Sequence, residues 1–535
     1  VGIVKPGEIA RSVSRGAFYL AAEKTVALFS GMLYFALLLR WLGPTGYGII
    51  TLALSFVGLA SVATGNFEVY LERYTAEHEA HGRLRTLQRA HRLALTLKLI
   101  LGALAGAVLV ALTPALAGAF DTPRLAEVLP PLALIVACDG LSTTGRAVLY
   151  GAQRFRAICA LAIAFHIAKT VMVGLLWWTK QSLPQLAIGL AVLTALQGLA
   201  QTLVPLWMLR DARDVEPPAP AGPAPAPAAE GGLLRQIVSY SLPLMGARMT
   251  FLSGQNLSKV VLGKLFGITD LGYFSFAFQT VERFVEVAYT LPSALMPSLT
   301  RLVARGETER LRWVFDQAFR LIQVLACALS FGLFVFAPEI TRWVGSPLFA
   351  PAVPLLRIMA LVPFARTAQQ PFTMLFQSLR LPGTVLALAL VKFAAEFGCY
   401  FTLVPMAGLA GAGWANLIGA VLSFIGAHLA LRRALPAGAG ERARASLVGL
   451  AGLLLFMAAG WAIDGAFHGA LATALKLLLL PVAVVAAFAT GLITPYDLEK
   501  VSSVPLNVTW MRRTRDSAVA AGDRLARAVA LRRTP

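Results

Sequence analysis

Apolar residues run along this chain in long stretches separated by short polar breaks. Fourteen such runs begin near residues 17, 48, 92, 127, 157, 184, 236, 272, 312, 351, 383, 408, 446 and 469. A helix of about 20 residues crosses a hydrocarbon core of about 30 Å, so each run is long enough for one span. Stretches such as LILGALAGAVLVAL (99–112) do not alternate. Lipid leaves open backbone groups unsatisfied, so the pattern predicts an all-α polytopic membrane protein with about fourteen transmembrane helices and excludes a β-barrel. The first run, from near Gly16, lacks a small-residue cleavage site and is predicted to be a retained span.

One segment interrupts the pattern. Residues 211–232, DARDVEPPAPAGPAPAPAAEGG, are rich in Pro and Ala and predict an extended linker. The expected organisation is a six-helix lobe over 1–210, the cytoplasmic linker 211–232, and a second six-helix lobe over 233–435. Two further spans over 436–493 and a basic tail over 494–535 complete the chain. The first and seventh spans exit through LGPTGYGIITLAL (42–54) and FGITDLGYFSFAF (266–278), in which Gly43 aligns with Gly267 and Gly46-Tyr47 with Gly272-Tyr273. Because six is even, the two lobes are expected to be parallel pseudo-symmetric repeats.

Composition reinforces the membrane reading. The 535 residues are 57% hydrophobic and 14% charged, with a mean hydropathy of +0.70. A soluble domain is about 45–50% apolar and about 25% charged, so a soluble enzyme is excluded. The net charge of +20 would suggest nucleic acid in a soluble chain, but here the bases cluster in alternate connections. With the N-terminus inside, the cytoplasmic segments hold 30 Lys and Arg. The outer loops hold five: Arg40, Arg124, Lys180, Lys264 and Arg342. That asymmetry predicts an even number of spans with both termini cytoplasmic. The tail 507–533 is expected to lie on the anionic cytoplasmic leaflet, with no nucleic acid as partner.

Neither cysteines nor histidines suggest catalysis. Cys138, Cys159, Cys327 and Cys399 lie in apolar runs without metal-type spacing, and are expected to be small core residues. His78, His81, His91, His166, His428 and His468 are scattered, and His166 is expected to be packed. There is no HExxH, GxSxG or phosphate-loop pattern, so no enzyme, metal or cofactor is expected.

The chemistry lies in the charges that remain inside the spans, where each costs about 2.5–3.5 kcal/mol on insertion scales. The bases are Lys24, Lys98, Arg146, Lys169, Arg248, Lys259, Arg283, Arg320, Arg357, Arg366, Lys392 and Lys476. The acids are Glu23, Glu68, Glu72, Asp139, Glu282, Glu286 and Glu396. Lys98, Arg320, Arg357 and Lys476 lie within about two turns of a span end and are expected to reach the headgroups. Arg248, Gln255 and Lys259 form one helical stripe; Gln279, Arg283 and Glu286 form another. Lys392 with Glu396 and Asp139 with Arg146 share faces at spacings of four and seven, and internal neutralisation is the alternative role for such pairs.

Guanidinium and ammonium groups in a water-filled cavity match phosphate oxygens, which implies an anionic cargo. The candidate binding residues are Arg248, Lys259, Arg283, Lys24, Arg146, Lys169, Arg366 and Lys392, with Gln255 and Gln279. Glu282, Glu286, Asp139 and Glu396 are the candidates for ion coupling, because carboxylates within spans mark ion pathways.

Four stretches resemble a known family: LRWLGPTGYGIITLALSFVGL (39–59), AVLYGAQRF (147–155), SYSLPLMGARMTFLSGQNLSKVVLGKLFGITDLGYFSFA (239–277) and GLAGAGWANLIGAVLSF (408–424). Their order and spacing are similar to those of the polysaccharide (O-antigen type) flippases of the multidrug/oligosaccharidyl-lipid/polysaccharide (MOP) exporter superfamily. The resemblance implies a two-lobed alternating-access transporter of undecaprenyl-diphosphate-linked sugars, working with other polysaccharide-assembly proteins. Where that family often carries an acid on the seventh span, Ser258 stands here, followed by Lys259, so the resemblance supplies no coupling carboxylate at that place. Two rival functions are a MATE-like ion-coupled small-molecule exporter, which would want an acidic cavity, and a membrane-embedded glycan ligase or polymerase, which would want a long catalytic outer loop.

Overall fold

The computed structural model describes residues 6–64, 84–208, 252–293, 295–379, 381–435, 437–467 and 469–490, with single positions at 68, 71, 72, 74, 75, 78, 246, 249 and 250. The linker 211–232, the tail 494–535, Arg248 and His468 lie outside the described residues. Every described element is helical.

The first half comprises α1 (Pro6–Val62), α2 (Leu84–Ala119), α3 (Pro123–Gly151), α4 (Phe155–Trp178) and α5 (Leu183–Met208). Then come α6 (252–266), α7 (Ile268–Ser293), the short α8 (Met296–Ala304) and α9 (Thr308–Val335). The chain continues through α10 (Ala337–Ile340), a π-helical turn (Thr341–Gly345), a 3-10 turn (Pro347–Ala352), α11 (Val353–Met359) and α12 (Val362–Ser378). It closes with α13 (Pro382–Ala434), α14 (Ala439–Ala466) and α15 (Gly469–Ala489).

Two helices are too long for one crossing. At 57 residues α1 would extend about 86 Å at about 1.5 Å per residue. It bends at Gly43, whose φ of 62° and ψ of −176° lie outside the helical region and which Pro44 follows. The 53-residue α13 bends in the same way at Gly408 (φ 59°), three residues after Pro405. A side chain at either glycine would be strained there. Counting each long helix once, nine described helices are long and apolar enough to cross a membrane, or ten with the bent pair 347–359 and 362–378. Division at Gly43 and Gly408 separates the spans predicted from residues 17 and 48 and from 383 and 408. The predicted total of fourteen is consistent with this set of helices.

The chain forms two compact units. Unit 1 comprises Val1–Ser275 and Trp343–Phe349; unit 2 comprises Phe276–Arg342 and Ala350–Pro535. Unit 1 is built on the packing of α3 against α2 and α5, and of α1 against α4. Small residues permit it: a Cβ at Gly102 would come within 2.7 Å of the Val136 carbonyl, and one at Gly145 would overlap the Gln201 carbonyl. Helices meet this closely in lipid because dispersion, rather than water exclusion, drives their association. Large apolar side chains are exposed instead, as at Phe29, Leu104, Leu203 and Trp207, where lipid is the solvent.

Unit 2 has an aromatic core. Phe372 of α12 packs against Phe319 of α9 at 5.1 Å between ring centroids and against His428 of α13 at 4.6 Å. His428 Nε2 lies 3.1 Å from Ser446 Oγ, which ties α14 to α13. Arg442 of α14 is 4% exposed; it donates to Asp316 of α9 at 2.8 Å and to the carbonyls of Leu435 and Ala437.

Candidate functional site

Unit 1 carries a polar seam at membrane depth. Glu23, Ser30 and Tyr34 of α1 are spaced by seven and four residues and share one face. Three contacts lead from this stripe to neighbouring helices. Arg146 of α3 donates to Glu23 Oε1 at 3.0 Å. Thr170 of α4 donates to the Ser30 carbonyl at 3.1 Å. Lys169 of α4 lies with its ammonium 4.2 Å from the Tyr34 ring centroid, a cation–π contact. Eleven residues from Glu23 to Tyr34 span about 16 Å of helix, so the seam covers roughly half a bilayer core.

The charges of the seam are unequal in exposure. Lys24 is exposed and the Arg146 side chain is 40% exposed, whereas the Glu23 side chain is 4% exposed. Glu23 Oε2 is buried with no hydrogen-bond partner among the described residues. Arg146, expected to share a face with Asp139, donates to Glu23. Asp139 offers its backbone carbonyl to Thr143 at 2.8 Å.

In unit 2 the candidate bases are matched one to one. Arg366, 8% exposed, donates to Glu282 and lies 3.3 Å from the Tyr289 hydroxyl. Arg283 donates to Glu286 at 2.8 Å, in line with the predicted stripe, and Gln279 on that stripe is half-buried. Lys392 donates to Glu396 at 2.7 Å as its spacing predicts, and Asn416 donates to the other Glu396 oxygen at 2.9 Å. On α6, which belongs to unit 1, Lys259 is buried and Gln255 half-buried.

Two residues expected to reach the headgroups do not. Lys98 is fully buried, donating to Glu68 at 2.7 Å and Thr143 at 2.9 Å. Lys476 is 1% exposed and lies between Glu339 at 2.8 Å and Asp464 at 2.5 Å. Arg357 likewise pairs with Asp464, and Arg320 with Gln317. A carboxylate within the protein is a nearer partner than lipid phosphate, so Lys98 and Lys476 turn inward. Glu339 and Asp464 were not among the expected intramembrane acids; they sit at helix ends, where a carboxylate reads as solvated. His91 is also fully buried, and both its ring nitrogens lack hydrogen-bond partners among the described residues. Of the four cysteines expected to be small core residues, Cys138 and Cys159 are buried and Cys327 and Cys399 half-buried. Among the described residues no cluster of His, Cys, Asp or Glu could hold a metal ion.

Long apolar helices broken by glycine kinks, with polar side chains paired among them, define a multi-pass membrane protein, and its fold is similar to that of solved MOP-superfamily transporters. An inward-facing multidrug-resistance MATE transporter superposes with a TM-score of 0.61 at 16% identity, over 79% of this chain and 98% of the other. A MOP transporter from Pyrococcus furiosus Vc1 gives 0.52 at 16% identity, over 79% and 96%. The family description "Polysaccharide biosynthesis protein" matches residues 37–354, and the chain belongs to that family. It is also 23% identical over 443 residues to stage V sporulation protein B of Bacillus subtilis (strain 168), covering 76% of this chain and 81% of the relative.

Proposed function

We propose that this polysaccharide-biosynthesis transporter flips an undecaprenyl-diphosphate-linked oligosaccharide across the bacterial inner membrane by alternating access, without bond chemistry. The observation that carries the reading is Arg146 of unit 1, whose side chain is 40% exposed even while it holds Glu23, on a helix packed against the one that carries the exposed Lys24. The exposed part of the Arg146 fork suits a diphosphate bidentately. Arg248 and Lys259 are further candidates for the diphosphate from the sequence pattern alone. Arg283, Arg366 and Lys392 already hold Glu286, Glu282 and Glu396, so neutralisation inside unit 2 is their proposed role. Both termini and the linker are placed in the cytoplasm by the charge asymmetry of the loops.

A basic seam suits an anionic cargo better than a cationic drug. The same fold tolerates such differences: the Pyrococcus furiosus transporter is described by the reverse polarity of its binding pocket. The test is reconstitution with a fluorescent prenyl-diphosphate sugar. Wild-type protein is expected to move it from the protected to the exposed leaflet with its mass unchanged. A new glycosidic bond would contradict the reading, as would transport of a cationic dye in place of the lipid.

A further inference from the structure

The accessible positions of α12 are Gln369, Gln370, Thr373, Met374 and Gln377, four of them polar. Its opposite face is apolar and buried: Phe364, Ala368, Phe372 and Leu375 lie at spacings of four, four and three, and Phe372 packs on Phe319 of α9. Arg366, Gln370, Thr373 and Gln377 follow at spacings of four, three and four along the polar face, over about 16 Å of helix. Lipid selects the reverse. Together with residues 347–359, α12 is apolar enough to cross a membrane, and polar side chains of such a helix face the protein interior or a water-filled cavity. The accessible carboxamide row of unit 2 therefore meets water at membrane depth.

The row carries no uncompensated charge. The only charged residue of α12, Arg366, is held by Glu282 and lies 3.3 Å from the Tyr289 hydroxyl. Gln369 donates to Ser423 at 3.0 Å, which leaves its side-chain oxygen as an acceptor. Among the described residues, Gln370 and Gln377 have no side-chain hydrogen bond. Each carboxamide offers two N–H donors and an acceptor oxygen.

We infer that this row binds the glycan of the cargo, an uncharged oligosaccharide; the inference rests on the flippase reading above. A sugar hydroxyl both donates and accepts, as a carboxamide does, so the two match without a charge on either. A glycan at membrane depth gives up water, and a desolvated hydroxyl is costly unless a new partner replaces it. Gln370 and Gln377 stand about 10 Å apart along the axis, so one chain of sugars can touch both. A cationic face here would instead compete with Arg146 of unit 1 for the diphosphate.

The experiment measures binding of two fluorescent lipids to the full chain in nanodiscs: a prenyl diphosphate carrying a tetrasaccharide of N-acetylglucosamine, and the same prenyl diphosphate without sugar. Wild type is expected to bind the sugar-bearing lipid about tenfold more tightly than the bare one. Gln370→Leu with Gln377→Leu should abolish that preference while keeping wild-type affinity for the bare lipid, which also shows that the variant is folded. Gln370→Asn with Gln377→Asn retains the amides on shorter stems and should lose only part of the preference. Arg146→Lys should weaken both lipids alike. Equal binding of the two lipids by wild type, or a preference that survives the first double variant, would overturn the glycan site and leave the diphosphate reading standing. Loss of both lipids by both double variants would make the row a packing element and overturn the site as well. A wild-type protein that binds neither lipid would overturn the flippase reading and the site with it. Displacement of the sugar-bearing lipid by equimolar free tetrasaccharide would assign the row to soluble sugar and overturn its part in holding cargo.

Discussion

The hydroxyls of Thr45 and Thr269 lie 2.9 Å apart, although 224 positions separate them in the chain. The same shift of 224 carries Pro44 to Ile268 and Gly48 to Gly272. A Cβ on Gly48 would overlap the Ile268 carbonyl, and one on Gly272 would overlap the Pro44 carbonyl. These are a single contact and its mirror under the repeat, so within unit 1 the two exit segments meet about a local two-fold centred on the threonines. The repeat is therefore ungapped: Gly48, not Gly46, is the partner of Gly272, and the expected alignment of Gly46-Tyr47 with Gly272-Tyr273 is corrected.

Gly48→Ala and Gly272→Ala should consequently act alike. Each forces a methyl into a backbone carbonyl and should cost about 1–3 kcal/mol, the usual range for overpacking. The double variant should cost less than the sum of the two, because one displacement relieves both contacts. Thermal unfolding of the purified variants in detergent checks this, and unequal or strictly additive losses would refute the symmetric junction.

Burial ranks the ion pairs. Lys98 is fully buried and its removal strands Glu68, so Lys98→Met should destabilise by up to about 3–5 kcal/mol. Arg283 and Glu286 are 32% and 54% exposed, and Arg283→Met should cost no more than about 1 kcal/mol. Melting temperatures of the two variants should differ in that order.

Coupling can be separated from neutralisation at Lys392–Glu396. If the pair is structural, Lys392→Met with Glu396→Gln leaves no buried ion uncompensated, and Asn416 keeps a carbonyl acceptor. The double variant should then retain transport and its response to an imposed proton or sodium gradient. Loss of the gradient response alone would return Glu396 to the coupling pathway.

The charge asymmetry predicts that an alkaline-phosphatase fusion at residue 225 is inactive and a cytoplasmic reporter there is active, with the same result at the C-terminus. Activity of the phosphatase at 225 would invert the first six spans.

What the sequence revealed depends on the range of each interaction. Span positions follow from local hydropathy and were legible, as were Arg283–Glu286 and Lys392–Glu396, which lie within one helix at spacings of three and four. Arg146–Glu23, Arg366–Glu282 and Lys476–Glu339 join residues 123, 84 and 137 positions apart, and no local period encodes them. Snorkelling was a fair expectation for Lys98 and Lys476 by position alone. Glu68 and Glu339 changed the outcome, since an ammonium with a carboxylate in reach has no need of the headgroups.

The most direct test of the central claim is leaflet-to-leaflet transfer of a labelled prenyl-diphosphate sugar in proteoliposomes, comparing seam variants with a matched pair from unit 2. Lys24→Gln and Arg146→Lys should each slow transfer about tenfold or more at wild-type abundance. The first removes an exposed charge, and the second removes the bidentate fork while keeping a partner for Glu23. Arg283→Gln with Glu286→Gln should transfer at close to the wild-type rate. Wild-type transfer by both seam variants, or its loss only in the unit 2 variant, would contradict the assignment of the diphosphate to unit 1.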